Sequence, residues 1–538
     1  MINLTFTARF RNMPLGIAAI ALTVLHVGAT LHVGATTGEE NWPQAAGPNA
    51  DWRVSGEAVT HWSVVRDENI AWRTSLPEGG QSAVTVWGDR AFLTCHARIE
   101  IAAEANSSTD IVGYCLDAQN GKVLWTVVIP GSVAVGTAGI FSDATVFAPV
   151  TDGEHVWFFN RSGGIACVDY SGRKVWSREF VPRNRHTNRQ CEPILFGDQI
   201  ITVEVLDKNA GAKIKRHQPV PQGIDSKSVW TYLHGIDKTT GKVLWTESAG
   251  TVCHHTPMFG RMADGTPAIV HARGGGHGPL ETPYGLSLTS LAKGREGTTV
   301  WSTELPRLDP PFNSHWNEKH VYAFHRADHV VLDTGTGKVL SRRNLNDDVD
   351  LWSWDKASES WTHKSGADVK AGRSHANTNQ TNIVVGDWHY FLAHDLFAIG
   401  RVNVVSGKVE YLEVPLQIAA EQVEDRWIWE KENAIPIDPS NSRGVHIAPD
   451  KRASRSGWGH VSAASPTLVG RHLYFPMMTG TVYVIDTAAE HLDGDALVTI
   501  NDLGAAGSTW TLSSFSFSRG RLYIRTMKDV LCIEGPSS

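Results

Sequence analysis

The sequence has no adjacent cysteines, no CxxC pair, no sustained helical periodicity and no excess of positive charge. Its six cysteines, Cys95, Cys115, Cys167, Cys191, Cys253 and Cys532, are widely separated. That spacing excludes thiolate zinc knuckles and c-type haem attachment, and leaves any disulfide pairing open. A net charge of −7 gives no basic field for nucleic acid. The apolar run PLGIAAIALTVL is short for a membrane span, with an uncleaved membrane anchor as the alternative to a cleaved signal. Preceded by Arg9 and Arg11 and followed by the small residues of VGATLHVGAT, it reads as an export signal over 1–35, cleaved near Ala35. No cysteine follows closely enough to carry a lipid anchor. The expectation is an exported chain, periplasmic or extracellular, with no membrane insertion after cleavage.

What is present is repetition. GKVLW occurs at Gly121 and again at Gly241, a spacing of about three of the roughly 40-residue units of a propeller. Looser copies stand at Ser171–Ser177, Gly335–Arg342 and Ser406–Leu412. Each reads as an apolar strand ending near Asp, a Gly turn, and a second strand with a large apolar residue, which is hairpin grammar. With 41% hydrophobic and 20% charged residues the chain can bury a large core. Eight inner-strand starts, near 79, 143, 186, 254, 315, 375, 460 and 508, predict an all-β, eight-bladed β-propeller of four-stranded antiparallel blades. The last blade runs out one strand short at DVLCIE, and NIAWRTSLP (69–77) supplies it, so an N-terminal strand closes the ring and removes an edge. The domains are then a signal at 1–35, an N-terminal lead-in at 36–68, and the propeller at 69–538. Several of the twenty tryptophans hold one place in the repeat, where an aromatic docks one blade on the next.

These strands, and the opening NWPQAAGPNADW, resemble the pyrroloquinoline quinone (PQQ) repeat family, the propellers of quinoprotein dehydrogenases and of BamB-like outer-membrane assembly scaffolds. The resemblance covers residues 41–534 and implies the fold more strongly than an activity. It also implies PQQ and calcium, held by a Cys-Cys pair, a Trp floor and acidic ligands. No Cys-Cys dipeptide or calcium-and-base motif is found, so PQQ with calcium is not expected here. Trp510 alone resembles a stacking floor.

The long insertions fall in the connections before inner strands and between second and third strands, which share one face of a propeller; the GK turns lie on the other. Histidines mark the same face: His186, His254, His255, His315, His375 and His460 stand at starts of inner strands and should converge on a central funnel. Neutral imidazole ligates metals and exchanges protons near neutrality. His254, His255, His315, His375 and His460 are therefore the candidate catalytic residues, and His254, His315, His375 and His460 a candidate transition-metal set. Arg185, Arg273, Arg373 and Glu318 flank these positions as fixed charge, and with His186, Trp458 and Trp510 form the candidate ligand-binding group. Trp352, Trp354, Trp361, Trp427 and Trp429 also lie in the insertions, where they either meet a planar ligand or pack the loops.

The sequence reading is a His-rich funnel that binds a small polar ligand such as a carbohydrate, with lyase or hydrolase chemistry by histidine or metal if it is an enzyme. The alternatives are a PQQ-dependent dehydrogenase and a BamB-like protein-interaction scaffold. Oligomeric state is not legible.

Overall fold

The chain divides into two compact units, Met1–Thr36 and Thr37–Ser538. A computed structural model describes residues 40–98, 109–132, 145–180, 192–205, 222–223, 225–250, 255–273, 283–306, 313–369, 381–393, 396–419, 427–438, 440–445 and 464–536. The expected signal, 1–35, lies outside them.

Thr37–Ser538 is an eight-bladed propeller. Blade 1 runs Thr85–Trp87, Arg90–His96, Ile111–Asp117 and Val123–Ile129, each strand antiparallel to the last. Blades 2, 3 and 4 repeat the pattern from inner strands Val150–Thr151, Ile194–Phe196 and Met258–Arg261, and blade 7 from Thr467–Val469. Blade 6, Asn382–Val385 to Val409–Glu413, is widened by a hairpin, Val349–Asp355 and Ser360–Ala367, that adds in parallel to its outermost strand. In blade 5 the inner strand shrinks to one bridge, Trp316 to Val321. The cause is local: Asn317 Oδ1 accepts the amides of Lys319 and His320 and turns the chain at once. Blade 8 is closed as expected, with Ile70–Ser75 antiparallel to Asp529–Ile533.

The repeated pentapeptide has a packing reason. Gly121 and Gly241 take φ of +73° and +71°, which glycine adopts at little cost. A Cβ on Gly121 would meet Trp72 at 2.5 Å, and one on Gly241 would meet Trp176 at 2.6 Å. Each turn is thus the seat for the tryptophan of the preceding blade. The indoles also donate across the seam, Trp72 to Ala118 O, Trp125 to Tyr170 O and Trp301 to Thr334 O, at 2.7–3.0 Å. After blade 6 the added hairpin takes over this duty, since Trp361 covers Gly494.

The lead-in is part of the body. Trp42, Trp52 and Trp62 are buried, and residues 40–54 cross the axis at the ends of the inner strands. Trp42 exchanges both backbone bonds with Val86 of blade 1, and Pro43 O accepts Thr151 N of blade 2. Gln44 Oε1 takes Leu195 N of blade 3 at 2.8 Å. Arg53–Val54 pairs in parallel with Leu468–Val469 of blade 7, the Arg53 guanidinium donates to Val384 O of blade 6, and Ser518 Oγ of blade 8 donates to Glu40 O. These contacts sit on the GK-turn face, and among the described residues they join the segment to blades 1, 2, 3, 6, 7 and 8.

Candidate functional site

A cavity of about 390 Å³ lies between the crossing segment and the inner positions of blades 4 and 5. Its polar lining includes Asn49, Asp51, Arg53, Arg261 and His315. Met258, Phe259 and Trp316 supply an apolar wall. It opens past Asn49 and Arg261, both exposed.

The charges are held in place from behind. Arg53 presents one guanidinium nitrogen to Val384 O, while its buried Nε has no partner among the described residues. Its backbone N–H donates to Asp51 Oδ1 at 3.1 Å. Burial holds the Asp51 carboxyl above the usual carboxylate range, opposed by Arg53, and pulls the Arg53 guanidinium down. Ala50 and Trp52 adopt φ of 56° and 58°, a left-handed backbone that is costly for these residues. Asp51 N and Trp52 N both donate to Ala46 O, which fixes that coil.

His315 occupies the inner position of blade 5 and belongs to a buried web. Its Nε2–H donates to Asn382 O at 3.1 Å. Asn382 Nδ2 donates to Asn313 Oδ1 at 2.6 Å, so Asn382 Oδ1 is the acceptor for His389 Nε2–H at 2.9 Å. His389 Nδ1 must then accept, and His329 Nε2–H donates to it at 3.0 Å. The partners thereby assign every tautomer. Burial, helped by Arg53, pushes His315 down to about 3; burial pushes His329 to about 3 and His389 well below its ordinary value. All three are neutral at pH 7.

A second buried group stands beside it. Glu247 Oε2 accepts from His271 Nε2 at 3.1 Å, with both side chains wholly buried. Its other oxygen accepts Leu233 N at 2.8 Å. His255, at the start of the blade 4 inner strand, is also wholly buried, 3.5 Å from Ser314 Oγ, and burial with nearby His271 holds it well below the usual imidazole range.

The other candidates are dispersed. Arg273 reaches outward to Ser302 Oγ on the outermost strand of its blade, at 3.0 Å. Glu318 is exposed in the turn after Trp316, on the GK-turn face. Trp510 is buried between blades 8 and 1 beside Gln81 and Arg525, its indole N–H without a partner among the described residues. Arg185, His186, His254, Arg373, His375, Trp458 and His460 lie outside the described residues. Of the metal set only His315 is described, and among the described residues no three His, Cys, Asp or Glu are grouped to hold an ion. The insertion tryptophans pack on one another: Trp354 stacks on Trp429 at 4.6 Å and meets Trp361 at 4.7 Å, and Trp352 stacks on His363 at 4.3 Å.

Sequence reasoning missed Asn49, Asp51, Arg53 and Arg261. The signal was available in the lead-in, where three tryptophans and the small run Ala45, Ala46 and Gly47 mark a segment to be buried.

The family described as outer membrane protein assembly factor BamB matches residues 32–205, from the crossing segment into blade 3. Over that stretch the chain is similar to the PQQ-like repeat propellers. Solved structures similar to this PQQ-like propeller include BamB from Moraxella catarrhalis, 13% identical over 87% of this chain and 97% of that one, with a TM-score of 0.43. The quinohemoprotein alcohol dehydrogenase ADHIIG from Pseudomonas putida HK5 is 11% identical over 93% and 82%, with a TM-score of 0.49. That of Comamonas testosteroni is 13% identical over 93% and 81%, at 0.46. No curated protein matches the chain. Among the described residues no helix is long and apolar enough to cross a membrane.

Proposed function

We propose that this PQQ-like propeller is an exported binding protein for a small polar molecule, taken up in the axial cavity between residues 44–53 and blades 3 to 5. The cavity carries the reading: about 390 Å³ of space with fixed charge on one wall and aromatic carbon on the other, within the range of small-molecule sites. Catalysis by His315 is disfavoured on chemical grounds. An imidazole with its pKa near 3 is a weak base at pH 7, and its proton inventory is fixed by neighbours. The ligand site thus shifts from a ring of strand-start histidines to the crossing segment, with His315 common to both.

A thermal-shift panel of neutral sugars, sugar acids, amino acids and small carboxylates tests it. At least one compound should raise the Tm of the wild type and not of Asn49→Trp, whose indole fills the mouth. Equal shifts in both proteins, or none in either, reject the site. Export is checked by the mass of the mature chain, expected to begin near Thr36.

One observation favours a scaffold as the second reading. The outermost strands of blades 1 to 3 expose Leu124, Val128, Val175 and Leu244, each more than 40% accessible, on edges that a partner strand can extend. Sedimentation of the wild type against Leu244→Lys would register self-association there.

A further inference from the structure

Resting on the reading above, we infer that the cavity's ligand is a sugar acid, a single pyranose ring bearing one carboxylate. Two guanidiniums, Arg53 and Arg261, face one carboxylate, Asp51, around the same space, so the walls carry net positive charge with His315 neutral. A monoanion balances that charge; a neutral sugar leaves it unmet. Arg53 is the stronger partner, because its buried Nε–H has no acceptor among the described residues and a carboxylate supplies one in charge-assisted geometry. Arg261 stands at the rim, bonded to Gly265 O at 3.0 Å, and draws the anion inward.

A bare anion does not account for the remainder of the lining. Asn49 and Asp51 offer a donor and acceptors where hydroxyls would lie. Phe259 and Trp316 line the same space, and an aromatic side chain is a surface on which the C–H face of a pyranose can rest. The volume is near the low end for ligand sites, about 300–1,000 Å³, so one ring is taken and not a chain. Burial of Asp51 and Arg53 without a ligand is costly to both, as their displaced titrations record, and a bound carboxylate relieves the arginine.

Isothermal titration with galacturonate, galactose, benzoate and sulfate separates the components. Galacturonate should bind at least tenfold more tightly than galactose, which lacks the charge, and than benzoate or sulfate, which lack the hydroxyls. Arg53→Gln should lower galacturonate affinity to the level of galactose. Arg261→Gln, an exposed change that leaves folding intact, should lower it about threefold and so keeps the test decisive if Arg53→Gln is unstable. Galactose, benzoate or sulfate binding as well as galacturonate overturns the inference, as does wild-type affinity in both arginine variants. If none of the four binds while another compound gives a shift lost in Asn49→Trp, the sugar acid is wrong and the cavity reading stands. If no compound gives such a shift, both fall.

Discussion

His234, His255, His315, His329 and His389 are five buried imidazoles whose titration burial pushes downward, to about 4 for His234 and about 3 for His315 and His329. Their unfolded counterparts titrate near 6.5. Below that pH the unfolded chain takes up protons that the folded chain refuses, so stability falls as pH falls from about 6.5 toward 3. His315 and His329 each contribute at most about 1.4 kcal/mol per pH unit inside that window. The urea midpoint should therefore drop between pH 7 and pH 5. In His329→Leu the protein should be about 1–3 kcal/mol less stable at pH 7, because His389 Nδ1 loses its donor, yet its loss on acidification should be shallower than in the wild type. A slope unchanged by that substitution would mean His329 titrates normally. His315 was legible from its place before a strand. Arg53 and Asp51 were not, because nothing periodic marks a residue whose role is to reach the axis from outside the repeat.

At the scale of the element, the glycine turn and the tryptophan that seats on it explain why the blades were readable. The constraint is steric, so it recurs wherever the seam recurs. Gly121→Ala places a methyl 2.5 Å from Trp72 on a backbone at φ +73°, whereas Gly88→Ala, at φ +60°, meets nothing within 4 Å. Gly88→Ala should cost about 1 kcal/mol for its left-handed backbone, and Gly121→Ala more by the overpacking cost of about 1–3 kcal/mol, compared by chemical denaturation. Between blades 6 and 7 the seam adds a polar contact to Trp361 on Gly494. Arg401 is buried against Glu410 at 2.6 Å, lies over Trp388, and donates to Ala489 O and Glu490 O. Arg401→Leu removes one of two cations on Glu410, which keeps Lys408 Nζ at 2.6 Å, and should cost about 1–3 kcal/mol. Arg401→Lys should recover little, since an ammonium cannot replace the guanidinium fork. The widening hairpin escaped the sequence reading as an element because its strands pair outside the four-strand pattern, although its tryptophans were noted.

At the scale of the whole molecule, two N-terminal devices hold the ring. The closing strand was legible because the count of strands in blade 8 was one short. The crossing segment was not, since its bonds run to six blades that lie far apart in sequence. Trp42→Ala, at a wholly buried indole that bonds Ala45 O and covers Gly47, should cost about 3–5 kcal/mol. Paired prolines at Arg73 and Thr74 should free the edge of Asp529–Ile533 and produce concentration-dependent aggregation in light scattering. The central claim is that residues 40–54 close the axis and frame the ligand cavity. Hydrogen exchange of the intact protein tests it most directly, followed by mass spectrometry with and without galacturonate. Slow exchange at 42–54 and at the amides of Thr151, Leu195 and Leu468, slowed further by ligand only at 49–53 and 258–261, is the expected result. Rapid exchange of 42–54, or ligand protection confined to other blades, would contradict it.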